Sequence, residues 1–315
     1  MQKISVIVPT LHRNKEILDF VDTLLKQTHQ VDELVVVDAG PQSNLQNILL
    51  EKLQGSQINL QYGTSEAGTS LQRNVAIDMS IGDILFFFDD DILLEPTYIE
   101  KTLQCFDLQY SPPVGGVLGT FTSSYKTSKS KEIYSKIFRL THSIEGNTSK
   151  LMATGAVQWL IKPDSVVPVP VCSGGRVAYR RECFDEERWA TFLPGYTMSE
   201  DVEISFRLSK KWTLLQTPDA LLYHDKSDSG RNSQGDRFAR LIYSRFYFFH
   251  NHREKTPQNL LAFFWWNLGV LGLVGTHQIR SKNRDIGDLL KGIKRGYQLR
   301  WNDIRIKNRE KQKQK

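Results

Sequence analysis

A chain of 315 residues with 40% hydrophobic and 24% charged side chains can bury one large core, or a core plus a smaller module, and is too apolar for a disordered polymer. The formal charge of +6 is local, because residues 280–315 carry 13 Lys/Arg against 4 Asp/Glu, a tail charge of +9 that leaves −3 for the remainder. Three widely spaced cysteines, Cys105, Cys172 and Cys183, without a Cys-x-x-Cys pair, suggest neither a disulfide framework nor a zinc cluster and fit a reducing cytosol.

The chain enters a strand-like run at Ile4–Val8 with no basic stretch and apolar segment before it, so no secretory leader is expected and a cytoplasmic protein is. Apolar runs recur at Leu34–Val37, Ile58–Tyr62 and Ile84–Phe88. Between them the spacing predicts helices from about Lys15 to Gln27 after Asn14, Leu45 to Leu53, Thr69 to Ser80 and Pro96 to Phe106. This alternation predicts an α/β fold with a parallel sheet covered by helices.

The Ser/Thr/Lys-rich stretch Thr122–Lys136 breaks the pattern and reads as a surface loop. Strand signals resume at Arg176–Tyr179, Thr213–Leu215 and Ala220–Tyr223, with a helical pattern over Val202–Lys211, and the α/β region closes near residue 226. Phe238–His250 is aromatic-rich and Leu260–Gly275 nearly wholly apolar; Ile286, Leu289, Leu290, Ile293 and Tyr297 follow at helical spacing, a separate helical appendage.

Ligands of open α/β sheets sit at the carboxyl ends of strands, so polar residues that end apolar runs are the first candidates for chemistry. The first run ends in Pro9-Thr10, the second in Asp38 and the fourth in Asp89-Asp90-Asp91. Adjacent carboxylates repel one another, and burying them unpaired is costly, so the triplet implies a compensating divalent cation, Mg²⁺ or Mn²⁺. Such a cation takes hard oxygen ligands and leaves positions for the phosphate oxygens of a nucleotide. The competing reading of the triplet is a solvated acidic turn or helix cap.

The sequence resembles the family 2 glycosyltransferases of GT-A fold through Ser5-Val-Ile-Val-Pro-Thr10, Val35-Val-Val-Asp38, Arg73-Asn74, Phe88-Asp-Asp-Asp91 and Pro96. The likeness continues through Gly174-Gly-Arg-Val-Ala-Tyr-Arg-Arg181, Ser199-Glu-Asp-Val-Glu-Ile-Ser-Phe-Arg-Leu208 and Pro218-Asp-Ala-Leu-Leu-Tyr-His224. It implies a Rossmann-like, mostly parallel central sheet flanked by helices, over about two-thirds of the chain. The expected organisation is a catalytic domain at 1–226, with a nucleotide-binding half at about 1–110 and an acceptor half at about 111–226, and an appendage at 227–315.

The resemblance implies an inverting transfer of a sugar from a nucleotide-diphosphate donor to a hydroxyl of a glycan or lipid-linked acceptor. Pro9, Thr10 and Asp38 would approach the base and ribose, and Arg73 the diphosphate or the metal carboxylates. Asp89 would contact the ribose and share in the metal, Asp91 would ligate the metal and His224 would complete its site; Asp90 is placed with the nucleotide as the least certain of the three. Asp201 would be the general base beside Glu200, against the plain reading of two acids at a helix N-terminus. Gly174 and Gly175 either admit an acceptor sugar close to the backbone or mark a tight bend. Two departures stand out: Asp38 is followed by Ala39-Gly40 instead of a second acid, and Ile92 stands where another Asp often follows.

The apolar run at 260–275 is shorter than a spanning helix requires and contains Asn267 and three glycines. Its Phe263-Phe264-Trp265-Trp266 cluster and the basic tail suit peripheral contact with an anionic membrane face, while packing against the catalytic domain is the alternative. The tail has few interleaved aromatics and no RNA-binding module, so nucleic acid is not an expected partner. A non-catalytic nucleotide-sugar binder and, further behind, a nucleotidyltransferase are the competing functions. The latter usually needs a Gly-rich loop where this chain reads Thr10-Leu-His-Arg-Asn14.

Overall fold

The computed structural model describes residues 2–40, 44–123, 128–191, 198–225, 233–280 and 290–300. In chain order the elements are β1 (Ile4–Thr10), α1 (Asn14–Leu24), β2 (Glu33–Asp38), α2 (Leu45–Lys52), β3 (Asn59–Thr64), α3 (Thr69–Met79), β4 (Ile84–Phe88), β5 (Ile92–Leu94) and α4 (Tyr98–Phe106). They continue with β6 (Val114–Phe121), α5 (Lys129–Ile137), β7 (His142–Ile144), β8 (Lys150–Leu151), β9 (Val157–Leu160), β10 (Val167–Pro168) and β11 (Arg176–Arg180). A 3-10 turn at Arg181–Phe184, α6 (Glu200–Leu208), β12 (Thr213–His224), α7 (Gln234–His252) and α8 (Pro257–Arg280) complete them, with further helical residues at 290–300.

The chain divides into two units. The first comprises residues 1–125, 143–150 and 160–230; the second comprises 126–142, 151–159 and 231–315. The basic tail lies outside the described residues except at 280 and 290–300.

The first unit is built on a nine-stranded mixed sheet in the order β10-β12-β6-β11-β4-β1-β2-β3, with β5 paired to β12. The β4-β1-β2-β3 half is parallel, as the alternating pattern predicts. β6 and β12 are also parallel, while β11 runs antiparallel between β4 and β6. The family's α/β architecture is therefore present. Strands β7, β9 and β8 form a small separate sheet in that order.

Alternation along the strands sends residues to two faces. Val6, Val8, Phe86 and Phe88 pack with Phe20 and Val21 of α1, Leu45 and Leu49 of α2 and Tyr98 and Ile99 of α4. On the opposite face Phe87 meets the rings of Tyr179, Phe184 and Trp189.

Beyond the short strands β5 and β7 to β10, which are not expected, three elements differ from the expectations of the sequence. β6 gives a weak strand signal because it reads Val-Gly-Gly-Val-Leu-Gly-Thr-Phe. Its glycines are required by neighbours: added Cβ atoms at Gly115 and Gly116 would crowd Trp212 and Tyr179, and one at Gly119 would strike Tyr98. The segment expected as a loop contains α5, in which Ile133, Tyr134, Ile137 and the following Phe138 recur at helical spacing among lysines and serines. The two short strands expected at 213–215 and 220–223 are one strand, β12, with a register shift between Gln216 and Leu221 around Pro218.

In the second unit, Trp266 and Val270 of α8 pack with Ile242 of α7, Leu140 and Ala156, and Tyr134, Phe138 and Ile293 border the cluster. Phe246 and Phe249 of α7 meet Phe263. Among the described residues no helix is long and apolar enough to cross a membrane. The three cysteines are buried and unpaired.

Candidate active site

The sheet brings the C-terminal ends of β1, β2 and β4 side by side, with Thr10 opposite Asp38 in the ladder. Pro9 faces Val37 across the same ladder. Asp38 is buried; its Oδ2 accepts from the Tyr62 hydroxyl at 2.8 Å and its Oδ1 from the Gly40 backbone N–H at 2.7 Å. A Cβ at Gly40 would sit 3.0 Å from the same oxygen, which suits glycine at that position; nothing in the structure explains Ala39 in place of a second acid. Gln72 on α3 spans the carbonyls of Thr10 and Val37 at 2.9 and 2.8 Å and fastens the two strand ends together.

The three aspartates have separate partners. Asp90 turns inward, is 5% exposed, and accepts from Thr10 Oγ1 at 2.8 Å and from Arg13 at 2.9 Å. Burial lifts its carboxyl to about 6, an effect that Arg13 and Thr10 only partly offset. Asp91 receives Arg13 at 3.2 Å through Oδ2 and lies 3.1 Å from His224 Nε2 through Oδ1. Burial opposes its ionisation, but His224 and Arg13 outweigh burial and hold the carboxyl below its ordinary value.

His224 reaches Asp91 because β5, which follows the triplet, pairs antiparallel with the end of β12. His224 stands opposite Ile92, and the Asp225 N–H donates to the Asp91 carbonyl at 2.9 Å. Its ring also stacks on Phe121 at 5.8 Å.

Asp89 faces the other way, toward α3 and α6. Arg73, 2% exposed, lies between Asp89 at 3.1 Å and Glu200 at 3.4 Å, and its guanidinium stacks over Trp189 at 4.5 Å. One guanidinium thus serves two carboxylates, with Asp201 adjacent. Surrounding protein lifts the Asp89 carboxyl, although 46% of its side chain is accessible, and Arg73 offsets only part of the effect. Burial likewise raises Glu200, and the Asp201 charge adds to it.

Gly174 and Gly175 lie against this cluster. A Cβ at Gly174 would come within 2.6 Å of an Arg73 nitrogen, and one at Gly175 would strike the Asp89 carboxylate. The Gly174 N–H donates to Asp201 Oδ2 at 3.2 Å, and the other Asp201 oxygen accepts from the Val202 N–H at 2.8 Å. Ser199, at φ 68° in the left-handed region, turns the chain into α6 immediately before Glu200-Asp201.

All the residues singled out from the sequence therefore lie in the first unit, at the C-terminal edge of β1, β2 and β4 or at the segments facing it. Four others join them without a sequence signal. Arg13 and Tyr62 hold Asp90, Asp91 and Asp38; Gln72 fastens β1 to β2; Trp189 carries the Arg73 guanidinium. Asn74, quoted in the family motif, pairs both its amide atoms with the Trp189 backbone at 2.8 and 2.9 Å, fixing the segment that leads toward α6. Among the described residues no group of three or more His, Cys, Asp or Glu is gathered as for a bound metal. Asp91 Oδ1 and His224 Nε2 are two convergent donors of suitable chemistry.

A mixed sheet of this order with acids at its parallel strand ends is the GT-A architecture of sugar transferases that use nucleotide-linked donors. The chain belongs to glycosyl transferase family 2, whose model matches residues 5–187, more than half of its length. A glycosyltransferase of Haemophilus influenzae is 29% identical over 104 residues, which cover 33% of this chain and 34% of that protein, so the chain matches about a third of that relative's length.

Two solved structures share the fold. The Staphylococcus aureus TarS fragment 1–349 in complex with UDP-GlcNAc has a TM-score of 0.59 at 16% identity, over 94% of this chain and 81% of that one. The mannosyltransferase PcManGT of Pyrobaculum calidifontis, in complex with GDP-Man and Mn²⁺, has a TM-score of 0.56 at 14% identity, over 95% and 86%.

Proposed function

We propose that this protein transfers a sugar from a nucleotide-diphosphate sugar to a hydroxyl of a glycan or lipid-linked acceptor, with inversion at the anomeric carbon. The observation that carries the reading is the placing of two chemically distinct groups of carboxylates along one sheet edge. Asp91 stands with His224, and Asp201 stands with Glu200 on the first turn of α6.

In this reading Asp38 accepts hydrogen bonds from the nucleoside, with Tyr62 and Gly40 fixing its orientation, and Pro9 and Thr10 border the base. Asp90 holds Thr10 and Arg13 in place. Asp89 and Arg73 face the ribose and diphosphate, where a guanidinium forms charge-assisted hydrogen bonds to phosphate oxygens.

Mn²⁺ or Mg²⁺ fits the donor set of Asp91 and His224, a hard oxygen and an imidazole nitrogen, with Asp89 two residues before Asp91; a cation held by so few protein ligands would take phosphate oxygens as further ligands. When bound it would neutralise charge that develops on the departing diphosphate. Asp201 takes the proton of the acceptor hydroxyl as that oxygen attacks the anomeric carbon from the side opposite the leaving group. The Gly174 N–H holds Asp201 in position while leaving no side chain between it and an acceptor. The reaction is assigned to residues 1–226, with 227–315 as a helical basic appendage.

The test is a panel of UDP-, GDP- and dTDP-sugars offered with Mn²⁺, with binding and slow donor hydrolysis measured. One donor is expected to bind in a metal-dependent manner and to be hydrolysed. Absence of binding across the panel overturns the proposal, and binding without turnover in the presence of acceptors favours the non-catalytic alternative.

A further inference from the structure

Within the second unit, α8 is apolar over Leu260–Leu273 apart from Asn267. Ala262, Phe263, Trp266 and Val270 are buried inside the unit, whereas Leu261 (66% exposed), Phe264 (59%), Trp265, Leu268 and Leu271 face outward at intervals of three and four residues. A surface helix normally keeps its outer face polar, and a contiguous exposed apolar patch marks an interaction site.

α5 extends this patch. The Trp265 indole N–H donates to the Ile137 carbonyl at 2.8 Å and stacks on Phe138 at 5.0 Å, and the Tyr134 hydroxyl donates to the Gly269 carbonyl at 2.8 Å. Gly269 is what allows the approach, because a Cβ there would strike Phe138. The outward side of α5 then adds Ile133 and Ile137, both more than half exposed, to the face of α8.

The charge beside this patch is predominantly positive. Lys129, Lys131, Lys136 and Arg139 are exposed at α5, where the single acid, Glu132, pairs with Lys136. α8 contains no Asp or Glu, and residues 280–315 carry the +9 tail immediately after it.

We propose that the combined outer face of α5 and α8 docks on the surface of an anionic lipid bilayer, with α8 lying in the interface plane. Phe and Trp side chains suit the headgroup boundary, and lysines at its edge are attracted to anionic headgroups. Spanning is disfavoured by the fold, because one side of α8 is committed to the core of its own unit. A second copy of this chain is a poor occupant: a two-fold contact through this face would set one basic rim against the other.

The full-length protein is tested by co-sedimentation with phosphatidylcholine vesicles with and without phosphatidylglycerol. Binding to the anionic vesicles, weakening as salt is raised, is expected, with a blue shift of tryptophan emission that Trp265→Phe diminishes. Phe264→Glu is expected to lower vesicle affinity at least tenfold, and Lys129→Glu with Lys131→Glu to lower it by about fivefold or more per charge removed. Leu261→Ser, at the most exposed position, serves as a second apolar variant should Phe264→Glu fail to fold. Failure of the wild type to bind anionic vesicles, equal binding by the apolar variants, or patch-dependent self-association or capture of an acidic protein without vesicle binding would each overturn the proposal.

Discussion

Asp201 and Asp91 lie at the same sheet edge, yet their surroundings predict different losses. Asp201→Asn keeps the shape of the side chain and one of its two acceptors for the backbone N–H groups of Gly174 and Val202 but removes the proton acceptor, so kcat is expected to fall by about 10²–10⁴-fold while donor affinity stays near wild type. Steady-state kinetics beside calorimetric donor binding separates the two; unchanged kcat would remove Asp201 from its role. Asp91→Ala and His224→Ala should instead abolish the Mn²⁺ dependence of donor binding, the same loss that chelation of the metal causes in the wild type.

Glu200 supplies a test by pH. Burial holds its carboxyl above the ordinary glutamate value of about 4.3, so the folded state keeps its proton better than the unfolded chain does. Its favourable contribution to stability is full below the unfolded value and is lost as pH rises through the raised folded value. Thermal unfolding of Glu200→Gln followed across that window should lose this slope, and an unchanged slope would place the proton elsewhere. These residue-scale assignments were unevenly legible. Asp38 and Asp89–Asp91 are visible because each ends an apolar run, while Arg13, Tyr62, Gln72 and Trp189 act through partners dozens of residues away, for which a sequence carries no periodicity.

Among the elements, β1, β2 and β4 announce themselves by runs of Val, Ile and Phe that are buried on both faces. β6 does not, because its position against the rings of Tyr179, Trp212 and Tyr98 demands the glycines that a propensity argument counts against a strand. Gly116→Val should therefore destabilise the protein by about 1–3 kcal/mol despite improving strand propensity, as measured by denaturant unfolding. α5 differs in kind: its apolar pairs Ile133/Tyr134 and Ile137/Phe138 recur four residues apart, but the Ser, Thr and Lys residues around them outweigh that short stripe in a composition-based reading.

Across the whole molecule the candidate site draws on residues 9 to 224, joined by parallel ladders and long-range hydrogen bonds, so donor binding should stabilise the first unit. At a donor concentration of about 100 times Kd in Mn²⁺ the gain is about 2.7 kcal/mol, a rise of several degrees in the unfolding temperature. Scanning calorimetry with and without donor reads it, and no rise at saturation would disconnect the site from the fold.

The register shift in β12 makes that strand a ruler. Four of its residues, Thr217 to Ala220, stand opposite Gly119 alone before pairing resumes at Leu221, and only this surplus brings His224 level with Ile92. Removing one residue there would slide the imidazole by about 3.3 Å and turn it to the other face of the sheet. Exposed Asp219 is therefore free to change its identity but not to be deleted. At Asp219 the count of residues, more than the identity of the side chain, sets where His224 lands.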